Sequence, residues 1–380
     1  MGTQSRREYL ETIRARYQRV GRQFKSKILD EFCEVCRYHR KHAIRLLCQP
    51  PSRRRRRRGP VARYDGAVQA ILKTLWFAMD QPCSKRFKAA LPLWLPYHEQ
   101  QAGALLPPFR QKLLAVSTAT IDRLLRPTRV QHRRRHGLCG TKPGSLLKHQ
   151  IPIRTDNDDV QQPGYLEADT VAHCGESLAG DFIWSLTFTD IFSQWTENRA
   201  VWNKGAQDVV ARVREMEADL PFAIRSFDVD NGSEFLNHHL WRYFLDRPEP
   251  VGFARSRPYH KDDQAHVEQK NWTHVRQLLG YDRFEDRQLV ELINDLYRSA
   301  WDPFHNFFCP SMKLQSKRRI KARIVKKYDA PQTPYQRVLA APQVAEAKKH
   351  QLRERFEQLN PFVLKKEIDR KLKMIFDRLR

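Results

Sequence analysis

The chain has 380 residues, of which 69 are Lys or Arg and 43 are Asp or Glu, so its formal net charge is +26. Such a charge repels itself unless a polyanion is the usual partner, which favours nucleic acid. No apolar run approaches the length of a membrane-spanning helix, the seven cysteines are scattered, and the N-terminus lacks a signal-peptide segment. These features disfavour a membrane protein and a disulfide-bonded secreted protein, and predict a reduced, intracellular one.

Residues 5 to 48 carry apolar residues at helical spacing, with a break near Arg37. Two short helices around such a break would form a helix-turn-helix, and an ordinary helical pair with a basic solvated face is the alternative. The apolar positions of the two helices are Ile28, Leu29, Phe32, Val35, Ala43, Ile44 and Leu47.

The next segment, PPSRRRRRRGP, contains a run of arginines framed by proline and glycine. The run consists of Arg53, Arg54, Arg55, Arg56, Arg57 and Arg58. A block of like charge cannot bury itself, so the segment is predicted to be a linker. Contact with phosphates or with the minor groove is one interpretation, and a solvated tether is the other.

Residues 64 to 127 again show a helical pattern, which ends in PPFRQKLLAVSTATIDRLLRP. Ser117 and Thr118 are natural N-caps for a helix that carries Ile121 and Leu125 on its apolar face. A helix, a tight turn and a capped helix predict a second helix-turn-helix, with a plain helical hairpin as the alternative. The stretch RPTRVQHRRRH follows as a basic connector.

From Gly164 onward the pattern changes to alternating apolar residues. The segments GYLEADTVAHCG, DFIWSLTFTDIFSQWTENRAV and FAIRSFDVD indicate strands, the middle one as an antiparallel hairpin, and AQDVVARVREMEADL is typical of an amphipathic helix. These elements predict a mixed sheet flanked by helices. Farther on, VEQKNWTHVRQLL and RQLVELINDLYRSA are predicted to be helical, KLQSKRRIKARIVKKYD to be basic and β-rich, and the C-terminal end to form two helices.

Three acids fall at comparable places in these elements. Asp169 lies in the first strand, Asp230 ends a later strand before an Asn-Gly turn, and Glu268 lies on a helix predicted to pack on the sheet. Together they would form a hard-oxygen site suited to Mg²⁺, and two such ions support in-line phosphoryl transfer. Acids that only cap turns are the alternative. Asp228 is expected to point to the opposite face of the strand from Asp230 and to play a structural role.

The segments LEADTVAHCG, DVDNGSEFLN and RPYHKDDQAHVEQKNWTHVR resemble the three catalytic blocks of DDE transposases and retroviral-type integrases. The resemblance runs from about residue 25 to 340. The chain is similar to insertion-sequence transposases of the integrase-core type, including the ISNCY group. One departure is that family members often have asparagine where this chain has Asp262, Asp263 and Gln264.

The resemblance implies an α/β RNase H-like catalytic core, with N-terminal all-α helix-turn-helix modules before it. It implies Mg²⁺ or Mn²⁺ as cofactor, as two ions held by Asp169, Asp230 and Glu268, and strand transfer into DNA. The implied partners are double-stranded DNA, both element ends and target, and further copies of the chain. Such a protein would be cytoplasmic, bacterial and associated with the nucleoid.

Three basic residues near Glu268 are predicted to contact DNA phosphates: Lys261, Lys270 and Arg276.

Two other functions remain open from the residues alone. One is a DNA-binding regulator whose integrase-like core is an inactive scaffold, and the other is a nuclease of the same fold that cuts without joining.

The predicted organisation follows the chain in six segments. They are an N-terminal helical helix-turn-helix module at 1–50, an Arg-rich linker at 51–63, a second helical DNA-binding module at 64–135, a linker at 136–159, the RNase H-like integrase core at 160–300, and a basic C-terminal extension with terminal helices at 301–380.

The segment CEVCRYHRKH offers Cys33, Cys36, His39 and His42 as zinc ligands. The zinc domain of retroviral-type integrases uses the order His, His, Cys, Cys, which this segment inverts. Buried thiols with surface histidines are therefore the predicted arrangement.

Overall fold

The structure is a computed structural model, and the residues that it describes are 3–49, 64–132, 160–229, 235, 238–249, 251–255, 264–320 and 323–379. The chain divides into two compact units, Met1–Arg63 and Tyr64–Arg380.

The described part of the first unit contains helices α1 (Thr3–Arg19), α2 (Arg22–Cys36) and α3 (Arg40–Cys48). Helix α2 ends because Arg37 takes the left-handed conformation, with φ of 54°. This confirms the predicted break. The core of the unit consists of Ile13, Tyr17, Ile28, Leu29, Phe32, Cys36, Ala43 and Leu47. Of the apolar positions predicted for these helices, Val35 and Ile44 are exposed instead.

The second unit opens with helices α4 (Gly66–Ala78), α5 (Ser84–Ala102), α6 (Pro107–Ala115) and α7 (Thr118–Gln131). The Ser117 side chain accepts a hydrogen bond from the backbone N–H of Thr120, so the predicted N-cap of α7 is confirmed. Helices α6 and α7 have the predicted order of helix, tight turn and capped helix. A DNA-binding role for them, as for α2 and α3, stays a prediction.

A mixed sheet of five strands follows, in the spatial order β3-β2-β1-β4-β5. Its strands are β1 (Tyr165–Ala172), β2 (Ile183–Asp190), β3 (Thr196–Trp202), β4 (Ser226–Val229) and β5 (Gly252–Arg255). Strands β1, β2 and β3 form an antiparallel meander, whereas β4 and β5 run parallel to β1. The central strand β1 is therefore paired on both sides.

Helices flank this sheet, which confirms the predicted fold class at that level. They are α8 (Ala206–Asp219), α9 (His238–Leu245) and two longer segments with wider π-helical turns in them. Segment α10 runs through Ala265–Lys270, the π-helical Asn271–Arg276 and Gln277–Leu279. Segment α11 runs through Leu289–Leu296, the π-helical Tyr297–Trp301 and Asp302–Phe308. Helix α9 and strand β5 have no counterpart in the sequence-based prediction.

The C-terminal part contains a two-stranded antiparallel ribbon and three helices. The ribbon consists of β6 (Leu314–Ile320) and β7 (Arg323–Tyr328), as the basic, β-rich segment predicted. Helices α12 (Pro334–Ala340), α13 (Glu346–Gln358) and α14 (Pro361–Asp377) follow, and the last two are the predicted terminal helices.

One hydrophobic core joins the helices before the sheet, the sheet and the helices after it. Trp94 of α5 shows how, since its indole N–H donates to the backbone carbonyl of Phe308 (3.0 Å). Its ring packs edge-on against Phe304 of α11 and Phe362 of α14, with centroids 5.8 and 5.2 Å away. The sheet, α5 and α14 are thereby held in one unit. Among the described residues, no helix is both long and apolar enough to cross a membrane.

Candidate active site at the junction of strand β1 and helix α10

Asp169 lies on β1, half-buried, and both oxygens of its carboxylate accept hydrogen bonds. Oδ1 accepts from the backbone N–H of Thr170 (2.7 Å), and Oδ2 accepts from Nδ2 of Asn271 on α10 (2.7 Å). The second bond joins positions that are 102 residues apart in the chain. It fixes the carboxylate of the central strand against the helix that carries Glu268.

Glu167 makes a second connection between β1 and α10. This residue is fully buried, and it lies on the same face of β1 as Asp169 because residues two apart on a strand share a face. Its Oε2 accepts hydrogen bonds from the backbone N–H groups of His266 (3.0 Å) and Val267 (2.9 Å). A carboxylate at a helix N-terminus satisfies N–H groups that lack an intrahelical partner and interacts favourably with the helix dipole.

Glu268 has an exposed side chain and lies three residues before Asn271 on α10. Residues three apart on a helix are neighbours on one face. Glu268 therefore lies on the side of α10 from which Asn271 reaches Asp169. The helix widens into a π-helical turn at Asn271, a feature that occurs frequently at functional sites.

The register of β4 against β1 extends this site toward the second predicted acid. Glu167 is paired with Asp228 and Ala168 with Val229, which is the last described residue of β4. Asp230, the next residue, lies outside the described residues. Asp228 is in register with Glu167, and residues two apart on a strand share a face, so the expectation that Asp228 points away from the face of Asp230 rested on a wrong use of strand alternation.

Lys270, a predicted DNA contact, is only 8% exposed and lies inside the protein. Its Nζ donates to the backbone carbonyl of Gln194 (3.4 Å). Burial, together with the positive charges of Arg86 and Arg337, lowers the pKa of this amine to about 7. This position is not an open surface, so a contact of Lys270 with a DNA backbone stays a prediction that its burial does not favour.

The other predicted DNA contacts are divided between the described surface and the rest of the chain. Arg276 is half-buried, and its guanidinium lies 4.7 Å from the ring centroid of Tyr281. The arginines at 53–58 and Lys261 lie outside the described residues, so nothing tests their role.

His173 and Cys174 follow Asp169 closely but do not form a nucleophile pair. The imidazole of His173 is buried, and its Nε2 shares a hydrogen bond with the Ser185 hydroxyl (2.8 Å), which in turn bonds the Tyr297 hydroxyl (2.8 Å). Burial, together with the positive charge of Arg276, lowers the pKa of His173 to about 3. The residue is a neutral part of the core.

Metal ligands are limited in the described part of the chain. There, no group of three or more His, Cys, Asp or Glu side chains is close enough together to hold a metal ion. In the first unit, Cys36 is buried and Cys33 is half-buried, and both are free thiols. The arrangement around Asp169 supplies one carboxylate from β1 and one from α10, and a third ligand would have to come from outside the described residues.

Sequence reasoning missed both Glu167 and Asn271. Each was visible as a spacing: Glu167 stands two residues before Asp169 in LEADT, and Asn271 stands three residues after Glu268 in VEQKN. Strand and helix periods place both of them on the face of the predicted acids.

Searches against known proteins returned no matching family model and one clear relative. The solved structures that are similar to parts of the chain include three with TM-scores of 0.29. The catalytic core domain of HTLV-2 integrase, in complex with magnesium, is 13% identical, over 40% of this chain and 92% of that one. The simian T-cell lymphotropic virus intasome in complex with the PP2A regulatory subunit B56 gamma is 15% identical, over 48% and 59%. The catalytic core domain of BIV integrase is 15% identical, over 46% and 91%. Scores this low carry no argument by themselves.

The relative is the uncharacterized protein y4rM of Sinorhizobium fredii. It is 40% identical over 339 residues, which is 88% of this chain and 95% of that protein. A likeness of this identity and extent places the two proteins in one family. The chain belongs to the family of the uncharacterized protein y4rM.

Proposed function

We propose that the protein is a DNA transposase, with an RNase H-like core that cleaves the 3′ ends of its own mobile element and joins them to target DNA. One observation carries the proposal: the hydrogen bond between Asp169 and Asn271, which brings the carboxylate of the central strand to the helix face of Glu268. This bond supports the proposal because it joins two of the three segments that resemble catalytic blocks, those of Asp169 and of Glu268.

Asp169, Asp230 and Glu268 would hold the metal ions, Mg²⁺ or Mn²⁺. Carboxylate oxygens are the ligands these cations prefer. A second feature of the described residues also fits a metal ion. The buried Oδ1 of Asn271 has no hydrogen-bond partner among them and could accept a hydrogen bond from a metal-bound water. When bound, two such ions activate the attacking hydroxyl and stabilise the leaving oxygen.

The place of Asp230 in this proposal rests on register. Ala168 and Val229 are paired partners on parallel strands, and Asp169 and Asp230 are the next residues in the sequence. Continuation of the same pairing would bring the two aspartates side by side. This argument supports Asp230 as the second ligand.

The protein's own side chains position the site. Glu167 would hold the N-terminus of α10 against β1, and Asn271 would orient the Asp169 carboxylate, so that Glu268 is presented to the same space. Positioning of this kind supplies a large part of the catalysis in phosphoryl transfer.

DNA is the proposed substrate because the chain carries a net charge of +26 and concentrates part of it on the ribbon. The two strands of the ribbon contain no acid, and all of β7 is exposed. Lys317 and Lys326 are directly paired across the ribbon, an arrangement that destabilises a sheet unless an anion lies nearby. Arg53 to Arg58, Lys261 and Arg276 are proposed as further phosphate contacts.

Joining two element ends requires more than one copy of the chain, so a homo-oligomer is part of the proposal.

Product analysis with the purified wild-type protein tests this function. Labelled DNA from the ends of its element, incubated with Mg²⁺ and a target plasmid, should give 3′-end cleavage and joined products, and EDTA should abolish both. Cleavage without joined products would make the protein a nuclease. Specific binding with no metal-dependent product at all would make it a regulator and overturn the proposal.

A further inference from the structure

A cavity of about 510 Å³ lies within the second unit, behind the candidate active site. Its walls come from the turn between α4 and α5, from α10, from α11 and from α14. Lys270, Thr273 and His274 of α10 line it, whereas Asn271 of the same helix contacts Asp169. The helix that carries Glu268 thus separates two spaces, and only one of them is the candidate active site.

Three cations line this cavity, together with one carboxylate, that of Asp80. Lys365 is paired with that carboxylate, at 3.2 Å. In the part of the chain that the structure describes, Lys270 and Arg86 form no salt bridge, and each has one hydrogen bond, to the carbonyl of Gln194 and of Pro310 respectively. Enclosing an ammonium group without an acid costs free energy that an anion would offset.

Two histidines add unused hydrogen-bonding capacity to the same wall. The rings of His274 and His305 lie 4.3 Å apart, and both line the cavity. His274 is 4% exposed, and its Nδ1 is bonded to the Thr273 hydroxyl (2.8 Å). The buried Nε2 of each ring has no hydrogen-bond partner among the described residues. Buried polar atoms of this kind are usually satisfied, so the wall is incomplete without a further group.

We propose that the cavity binds a ligand of nucleotide size through its phosphate, with Lys270 and Arg86 as the groups that contact the phosphate oxygens. Ammonium and guanidinium groups form strong, charge-assisted hydrogen bonds to phosphate. The volume lies in the range typical of small-molecule sites, and Met79, Leu278 and Trp301 supply apolar wall for the rest of the ligand. The phosphate could belong to a free nucleotide or to a nucleotide at a single-stranded DNA end.

Calorimetric titration of the full chain at physiological salt tests the proposal with two probes, thymidine 5′-monophosphate and a duplex with a short single-stranded 3′ overhang. Saturable binding of either probe is expected, with affinity reduced about tenfold or more by Lys270→Gln and by Arg86→Gln. Lys348→Gln, at an exposed position on α13, is the matched control and should bind both probes as the wild type does. Binding of the mononucleotide identifies a free nucleotide as the source, and binding of the overhang alone identifies a DNA end.

A second measurement needs no variant. Cys83 lines the cavity and is exposed, whereas Cys48 is exposed in the other unit. A bound probe should slow alkylation of Cys83 severalfold, measured by mass spectrometry, while mononucleotide leaves Cys48 unchanged. The proposal fails if neither probe slows the reaction at Cys83, or if both substitutions leave the affinity as it is in the wild type. Neither result would bear on the proposed transposase activity, because the cavity is separate from Asp169.

Discussion

At the scale of single residues, the site depends on contacts that orient carboxylates rather than on the carboxylates alone. Asn271 donates to Asp169 from one turn beyond Glu268, and Glu167 binds the first N–H groups of the same helix. Neither Glu167 nor Asn271 is proposed to touch DNA. Both are positioning residues, and their effects differ in kind.

Asn271→Ala should lower the rate of end cleavage by about 10- to 100-fold, because groups that orient metal ligands typically contribute on that scale. The Mg²⁺ concentration for half-maximal activity should rise as well, since the Asp169 carboxylate loses its fixed orientation. A Mg²⁺ titration of cleavage measures both effects. Gln269→Ala, an exposed position on the same helix, is the control. An unchanged Mg²⁺ requirement would remove Asn271 from the site.

Glu167→Ala should destabilise the fold by about 3 kcal/mol, because it leaves the N–H groups of His266 and Val267 without their acceptor in a buried place. Glu167→Gln should cost less, since its amide oxygen can still accept one of the bonds. Urea denaturation followed by circular dichroism gives the free energies of unfolding. The exposed Glu176→Ala should match the wild type, and equal stability of Glu167→Ala would contradict the capping role.

His173 should make the fold sensitive to mild acid. Its pKa is lowered from 6.5 to about 3 by burial, so the unfolded chain binds a proton that the folded one does not. The neutral, buried imidazole therefore contributes to the free energy of unfolding fully above pH 6.5. This contribution is lost as the pH falls toward 3, and about 2 kcal/mol of it is lost between pH 6.5 and 5.

The substitution His173→Gln tests whether His173 causes this loss of stability in acid, because glutamine can form a hydrogen bond with Ser185 but does not titrate. The stability of this variant should fall less than that of the wild type between pH 6.5 and 5, as measured by urea denaturation at both values. His350, whose side chain is 69% exposed, supplies the control His350→Gln. Parallel pH profiles for the wild type and His173→Gln would show that the buried imidazole is not the group responsible.

At the scale of elements, much of the second unit followed from sequence periodicity. The segments of strands β1 to β3, helix α8 and the ribbon were all recognised in the sequence, and Ser117 marks the start of α7 by its capping chemistry. Helix α9 and strand β5 were not predicted, since β5 consists of only four residues and shows no alternation of its own. The burial of Lys270 could not be predicted either, because the residues that share its cavity come from α5, α11 and α14, which are far from α10 in the sequence.

The ribbon gives the sharpest prediction at this scale. Lys326→Gln combined with Lys327→Gln should weaken binding to all DNA sequences alike, because phosphate contacts position a protein without specifying sequence. The slope of log affinity against log salt should become shallower by about one for each lysine that no longer neutralises a phosphate. Fluorescence anisotropy over a salt series measures this slope. Lys348→Gln combined with Lys373→Gln removes the same charge elsewhere. If both double variants change the affinity and its salt slope equally, the ribbon contributes only to the net charge and does not contact DNA.

At the scale of the whole molecule, the chain consists of a small helical unit and a larger second unit. In the second unit, a single hydrophobic core joins the sheet to the helices that precede it and to those that follow it. The acids were placed by sequence on strands and on a helix, but only the tertiary fold brings Asp169 to α10. The packing of Trp94 against α11 and α14 could not be predicted, because it depends on contacts between residues more than 200 positions apart.

The central claim is that three carboxylates act together as one metal-dependent site. Cleavage of labelled element-end DNA, with Mg²⁺ and with Mn²⁺, by Asp169→Asn, Asp230→Asn and Glu268→Gln tests it most directly. Each variant should fold, bind end DNA and lose cleavage and joining with both metals, because an amide cannot supply the charge that holds the cations. Asp208→Asn, an exposed carboxylate on α8, should keep the activity of the wild type. Retention of metal-dependent cleavage by any one of the three variants would contradict the account.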